Sequence, residues 1–107
     1  MDTQYNLALV FKAISDETRM KIVEMLSCGD MCACDILEYF QITQPTLSYH
    51  MKILTESGLV SSRKEGSWMI YNNNMELIKE VKEFWNRVLV PQENCICKTC
   101  KGAGECE

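Results

Sequence analysis

Apolar residues recur along most of the chain at the 3.6-residue spacing of helices and switch to strand-like runs in one place. Leu7, Phe11 and Ile14, with Ala8 and Val10 beside them, predict a first helix from Gln4 to Ile14. Ser15 and Asp16 offer caps for a second, Glu17 to Leu26, with Ile22, Val23 and Leu26 inward and Glu17 at the positive helix end. Ser27-Cys28-Gly29-Asp30 reads as a loop. Ile36, Leu37 and Phe40 then mark an apolar stripe on a short third helix. Gln41-Ile42-Thr43 has the length of a helix-turn-helix corner. Thr43 can cap the fourth helix, with Pro45 in its first turn, where a missing N–H costs nothing. Leu47, Met51 and Leu54 mark its buried side, and Gly58 ends it as a left-handed residue.

Two strand-like runs follow, Leu59 to Lys64 and Trp68 to Tyr71, around Glu65-Gly66-Ser67. A basic hairpin directly after a helix-turn-helix reads as a wing, with Arg63 and Lys64 at its tip able to reach phosphate or minor groove. Asn72-Asn73-Asn74 stops the second strand, and Asn73 with Glu76 imitates a capping box. The last helix, Met75 to Val90, carries Leu77, Val81, Phe84, Trp85, Val88 and Leu89 as one wide apolar stripe. So small a domain has too little core to cover that stripe as well as the first helix, and the surplus predicts a two-fold dimer through both. The expected fold is mainly α with a small β-hairpin: a dimeric winged helix-turn-helix domain over residues 1–90, followed by a Cys-rich tail over 91–107.

Composition refines this. A chain of 107 residues makes one domain, able to bury roughly 65% of its unfolded surface. An apolar fraction of 47% argues against disorder. No apolar run approaches the roughly 18 residues of a membrane span. The start, Met1-Asp2-Thr3-Gln4, carries an acid where a signal peptide has basic residues, so a cytoplasmic protein is expected. The net charge of −4 weighs against nucleic acid, but its distribution does not. Residues 1–40 hold three basic and seven acidic groups, and residues 41–71 three and two. The acid lies outside the reading segment, and a local basic strip, doubled in a dimer, predicts strongly salt-dependent binding.

On the fourth helix, Gln44, Thr46, Ser48, Tyr49, His50 and Lys52 are the candidate DNA contacts, since polar side chains of this kind suit base edges and phosphates. His50, the one histidine, lies beside the apolar stripe, so a half-buried structural role stands next to the DNA-contact role. Seven cysteines in a chain with no secretory signal point to metal binding or thiol redox chemistry rather than disulfides. Cys97-Lys98-Thr99-Cys100 has the spacing of dithiol oxidoreductases, but no strand–helix–strand pattern accompanies it, which excludes that enzyme class.

Asp16-Glu17-Thr18-Arg19, Cys32-Ala33-Cys34-Asp35, the run Gln44 to Met51 and Glu56-Ser57-Gly58-Leu59-Val60 together resemble the ArsR/SmtB family of metal-responsive winged-helix repressors, most of all its arsenical-resistance operon repressors. The resemblance reaches to about residue 90. It implies a homodimer that occupies an imperfect inverted repeat in double-stranded operator DNA and leaves when a metal or metalloid binds. It also implies trivalent arsenic or antimony as inducer, needed neither for folding nor for DNA binding, with Cys32 and Cys34 as two of three thiolate ligands. The family's third ligand position, three residues on, holds Leu37 here. The third sulfur is then sought in the tail, at Cys95, Cys97, Cys100 or Cys106, or at Cys28, which otherwise reads as a small buried apolar residue. The family's zinc-type site on the last helix needs histidine and is excluded, because that helix has none. Residues two apart on a regular helix point nearly opposite ways, so Cys32 and Cys34 can share an ion only if the helix starts late or its first turn is distorted. Thiolates select soft ions, which keeps cadmium, lead and zinc as alternatives; an oxidant or persulfide acting on the thiols is another.

Overall fold

The computed structural model describes residues 6–89. In chain order they form α1 (Leu7–Ala13), α2 (Glu17–Leu26), β1 (Met31–Cys32), α3 (Ala33–Tyr39), α4 (Gln44–Glu56), β2 (Val60–Glu65), β3 (Trp68–Asn73) and α5 (Met75–Leu89). The expected boundary near residue 90 and the tail lie outside the described residues. Among the described residues, no helix is long and apolar enough to cross a membrane.

Local side chains start the helices. Asn6 Oδ1 accepts the amide of Leu9 and Asp16 Oδ2 that of Arg19, both at 3.1 Å. Thr43 Oγ1 accepts the amide of Thr46 at 3.3 Å. Each bond satisfies an amide that the helix itself leaves unpaired. Pro45 sits in the first turn of α4, and Gly58 follows that helix with φ of 88°, the left-handed value a side chain would strain. α3 and α4 are thus the two helices of the expected helix-turn-helix.

The core lies between them and the remaining helices. Val10, Ile22, Ile36, Leu54, Val60 and Leu77 are its most deeply buried side chains, with Leu47 and Met51 completing the inner stripe of α4. α1 differs from the expected helix. It turns Val10 and Ala13 fully inward, while Leu7, Phe11 and Ile14 are half-buried. Phe11 instead meets α5, with ring centroids 5.5 Å from Phe84 and 5.8 Å from Trp85. On the outer side, Leu9, Trp85, Val88 and Leu89 remain exposed, Leu89 at 73%.

The wing is a three-stranded antiparallel sheet in the order β1-β3-β2, where sequence patterning indicated a hairpin alone. β2 and β3 pair from Val60↔Asn73 to Glu65↔Trp68. β1 adds two rungs, Met31↔Tyr71 and Cys32↔Ile70. Two residues are too few to display alternation, so this strand had no visible pattern. The capping expectation for α5 shifts by one residue. Asn74, not Asn73, accepts the amides of Glu76 and Leu77, at 3.1 and 3.2 Å, and also donates to Gly58 O at 2.9 Å. Asn73 is instead the last residue of β3, buried, and donates to Val23 O at 3.1 Å.

Candidate nucleic-acid interface and thiolate site

α4 presents Gln44, Thr46, Ser48, Tyr49 and Lys52 to solvent, while Leu47, Met51 and Leu54 hold its opposite face in the core. Tyr49 is 60% exposed, although nothing in its chemistry prevents burial. Thr46 Oγ1 lies 3.0 Å from Thr43 Oγ1, so the start of the helix carries a linked pair of hydroxyls.

His50 has other neighbours. Its side chain is 12% exposed, and its Nδ1 lies 3.0 Å from Arg19 Nη1 and 3.9 Å from Asp16 Oδ2. An arginine donates only, so Nδ1 accepts and the neutral ring carries its proton on Nε2. Arg19 also donates from Nε to Ala13 O. The His50–Arg19 contact therefore ties α4 to α2 and to the end of α1. Asp16 closes this corner, and its carboxyl is held below the usual aspartate range, first by the Arg19 amide and then by the charge of Arg19. Sequence reading did not single out Arg19 as a partner; 31 residues separate it from His50.

On the wing, Arg63 sits opposite Ile70 rather than at the tip, which is the turn at Gly66 and Ser67. Its guanidinium is flanked by two carboxylates, Glu65 at 2.7 Å and Asp30 at 2.9 Å. Lys64 is exposed on the next residue, and among the described residues it forms no ion pair.

The thiolate pair stands at the joint between the wing and α3. α3 starts late, at Ala33, which leaves Cys32 in extended backbone as its N-cap. The Sγ of Cys32 accepts the Asp35 amide at 3.3 Å. This releases the constraint of a regular helix. The sulfurs of Cys32 and Cys34 and a carboxylate oxygen of Asp35 all lie within 4.8 Å of one another. Cys34 and Asp35 are exposed. The Cys34 thiol is held above the usual cysteine range by its hydrogen bond with Cys32, then by desolvation and the nearby negative charge. Asp35 was not anticipated as part of this cluster, although an acid three residues after an N-cap is a recognisable signal.

Cys28 departs from its expected burial: it is exposed, because it lies in the turn beyond Leu26, the last inward residue of α2. It borders a separate hollow of about 410 Å³, together with Asn72, Met75 and Ile78. Cys95, Cys97, Cys100 and Cys106 lie outside the described residues.

Residues 16–62 match the family model described as bacterial regulatory protein, arsR family. The chain is also 41% identical over 100 residues to the arsenical resistance operon repressor of Staphylococcus aureus, covering 94% of this chain and 95% of that protein. The chain belongs to the ArsR family. Solved structures agree in fold. A crystal structure of an ArsR family transcriptional regulator superposes with a TM-score of 0.73 at 23% identity, covering 78% of this chain and 91% of that one. An ArsR-like transcriptional regulator from Rhodococcus sp. RHA1 gives 0.69 at 29% identity, over 77% and 75%. The family and the relatives that the chain matches are transcriptional regulators, not enzymes.

Proposed function

We propose that this ArsR-family regulator represses an arsenical-resistance operon. It binds an imperfect inverted repeat in double-stranded DNA as a homodimer, and releases it when trivalent arsenic or antimony takes Cys32, Cys34 and a third thiolate. The observation that carries this reading is the sulfur pair at the late start of α3, together with its place in the sheet. Cys32 is the last residue of β1 and pairs with Ile70 of the wing strand β3, while the helix it caps is the first of the helix-turn-helix. An ion that draws the two sulfurs together therefore acts on the wing and on the support of α4 at once. Two soft donors suit a thiophilic ion, and the Staphylococcus aureus relative is named for arsenical resistance. Cys95, Cys97 and Cys100 are the proposed suppliers of the third sulfur, with Cys28 as the alternative. DNA contacts are proposed for Gln44, Thr46, Ser48, Tyr49 and Lys52, with Lys64 on the wing. His50 is proposed to serve by holding α4 against α2, and Arg63 to reach phosphate only after leaving Asp30 and Glu65.

The test is fluorescence anisotropy of an operator duplex bound to the reduced full-length protein, titrated separately with arsenite, antimonite, cadmium, lead, zinc and peroxide. Release by arsenite and antimonite is expected. Release by divalent ions alone would favour the second reading, in which Asp35 joins the sulfurs in a mixed S/O site. Release by peroxide alone would refute the metalloid reading outright.

The dimer is proposed to form across the exposed outer side of α1 and α5. Trp85, 48% exposed and stacked edge-on against Phe11, is an aromatic anchor of the type that dominates interfaces. Trp85→Glu is expected to weaken self-association at least ~30-fold, read by sedimentation equilibrium, and to lower operator affinity with it. A variant that stays dimeric would place the interface elsewhere.

A further inference from the structure

The outer end of the wing is apolar rather than basic. Trp68 is 56% exposed and Met69 37%, and neither joins the core. They open β3 directly after the turn at Gly66 and Ser67. Successive strand residues point to opposite faces, so the tip carries a large apolar side chain on each side. Lys64 lies across from Met69 and Glu65 across from Trp68, while Arg63 behind them is occupied by Asp30 and Glu65. Apart from its chain neighbours, no described residue comes within 4 Å of where a Cβ on Gly66 would stand, so the turn projects freely. A cleft of about 380 Å³ separates this tip from α4. Gln44 and Ser48, on the outward face of α4, line one wall, and Ser67, Trp68 and Met69 line another.

We propose that Trp68 and Met69 form an apolar wedge that enters the minor groove flanking each half-site, so that the wing selects DNA by how readily that groove opens. This rests on the reading of α4 as the helix in the major groove and adds a specificity determinant to it. Along a duplex, one sugar–phosphate strand separates a major groove from the next minor groove. With α4 in the major groove that strand passes through the cleft, where the hydroxyls of Ser48 and Ser67 suit phosphate oxygens. The tip then stands over the minor groove, whose walls are deoxyribose and offer hydrocarbon to both of its faces. An undistorted minor groove is only about 6 Å wide, too narrow for a strand bearing an indole on one side and a thioether on the other. It must widen, at a cost set by the sequence: TA and CA steps yield easily, whereas A-tracts are stiff and narrow. Burial of the two side chains offsets that cost. An arginine at the tip would favour the reverse, since a narrow A-tract concentrates negative potential. The sign of the flank preference therefore separates an apolar wing from a basic one.

The test uses the reduced full-length protein on its operator duplex, with the half-sites kept and only the flanking steps changed to TA and CA or to an A-tract. Hydroxyl-radical cleavage, which reports access to the sugars of the minor groove, locates the flanks under the wing. The unaltered protein is expected to protect half-sites and flanks, and to bind the TA/CA duplex at least about 5-fold more tightly than the A-tract duplex, the low end of groove-deformation costs. The double variant Trp68→Ser, Met69→Ser is expected to keep protection of the half-sites, lose that of the flanks and bind both duplexes alike. Both residues are exposed, so a thermal melt is expected to find this variant folded. Trp68→Arg, a single change, is expected to shift the preference toward the A-tract. Equal affinity of the unaltered protein for the two duplexes, or flank protection that survives the double variant, would overturn the wedge. So would loss of self-association in the double variant, which would make the tip a contact between copies. Gln44→Ala with Ser48→Ala tests the reading helix separately. If half-site protection survives that change intact, the placing of α4 fails as well; if it is lost while the flanks ignore Trp68, only the wedge fails.

Discussion

Changing Cys32 and Cys34 together to serine is expected to leave operator binding in place and to abolish its loss on adding arsenite. An inducer coupling of roughly 1–3 kcal/mol corresponds to about a 5- to 150-fold change in operator affinity, and in the double variant that ratio falls to about 1. The fold has reason to survive. Cys32 caps α3 by accepting the Asp35 amide at 3.3 Å, and serine is among the preferred residues for that position. Cys34 is exposed, so its replacement empties no space in the core. What is lost is the soft donor, because an alcohol oxygen does not replace a thiolate for a thiophilic ion. Anisotropy with and without arsenite reads the ratio, and a thermal melt confirms that the variant is folded. A double variant that is still released normally would separate the trigger from the start of α3 altogether.

Leu54→Ala carries the largest expected loss of stability. Leu54 is fully buried on the inner face of α4, in the same cluster as Ile22, Leu47 and Met51. Removing its branched end leaves a cavity costing about 2–5 kcal/mol, a large share of the roughly 5–15 kcal/mol that holds a domain together. At roughly 4–8 °C per kcal/mol for a chain of this size, the melting temperature falls by at least about 8 °C. The melt must be run at fixed protein concentration, because dimerisation also contributes to stability. Because Leu54 anchors the helix that carries Gln44 to Lys52, operator affinity is expected to fall as well. A drop of only a few degrees would mean that the site collapses around the smaller side chain.

The helix-turn-helix was legible because several independent signals agree over a short stretch. Thr43 caps, Pro45 opens the first turn, Leu47, Met51 and Leu54 repeat on one face, and Gly58 supplies the left-handed stop. What was not legible depends on contacts distant in sequence or on register. β1 has two residues, too short for any period, and exists because β3 passes beside it. Asn73 and Asn74 are chemically identical as caps, and pairing of Asn73 with Val60 in the sheet decides which is left to begin α5. Arg63 reads as a phosphate contact until the fold brings Asp30, 33 residues earlier, to 2.9 Å. The pairing of Cys32 with Cys34 turned on where one helix begins, which sequence left open and the extended backbone of Cys32 resolves.

Asp30 and Glu65 have a consequence for ionic strength. A guanidinium already neutralised by two carboxylates displaces few counterions when it meets a phosphate, because it must first surrender partners of the same sign. Each phosphate neutralised on duplex DNA adds roughly 0.9 to the logarithmic dependence of affinity on salt, and Arg63 adds little of that. Operator affinity will then fall less steeply with salt than a tally of lysines and arginines indicates. With the contacts proposed above, discrimination between promoters falls to the amide, hydroxyls and phenol of Gln44, Thr46, Ser48 and Tyr49 rather than to the wing's charge.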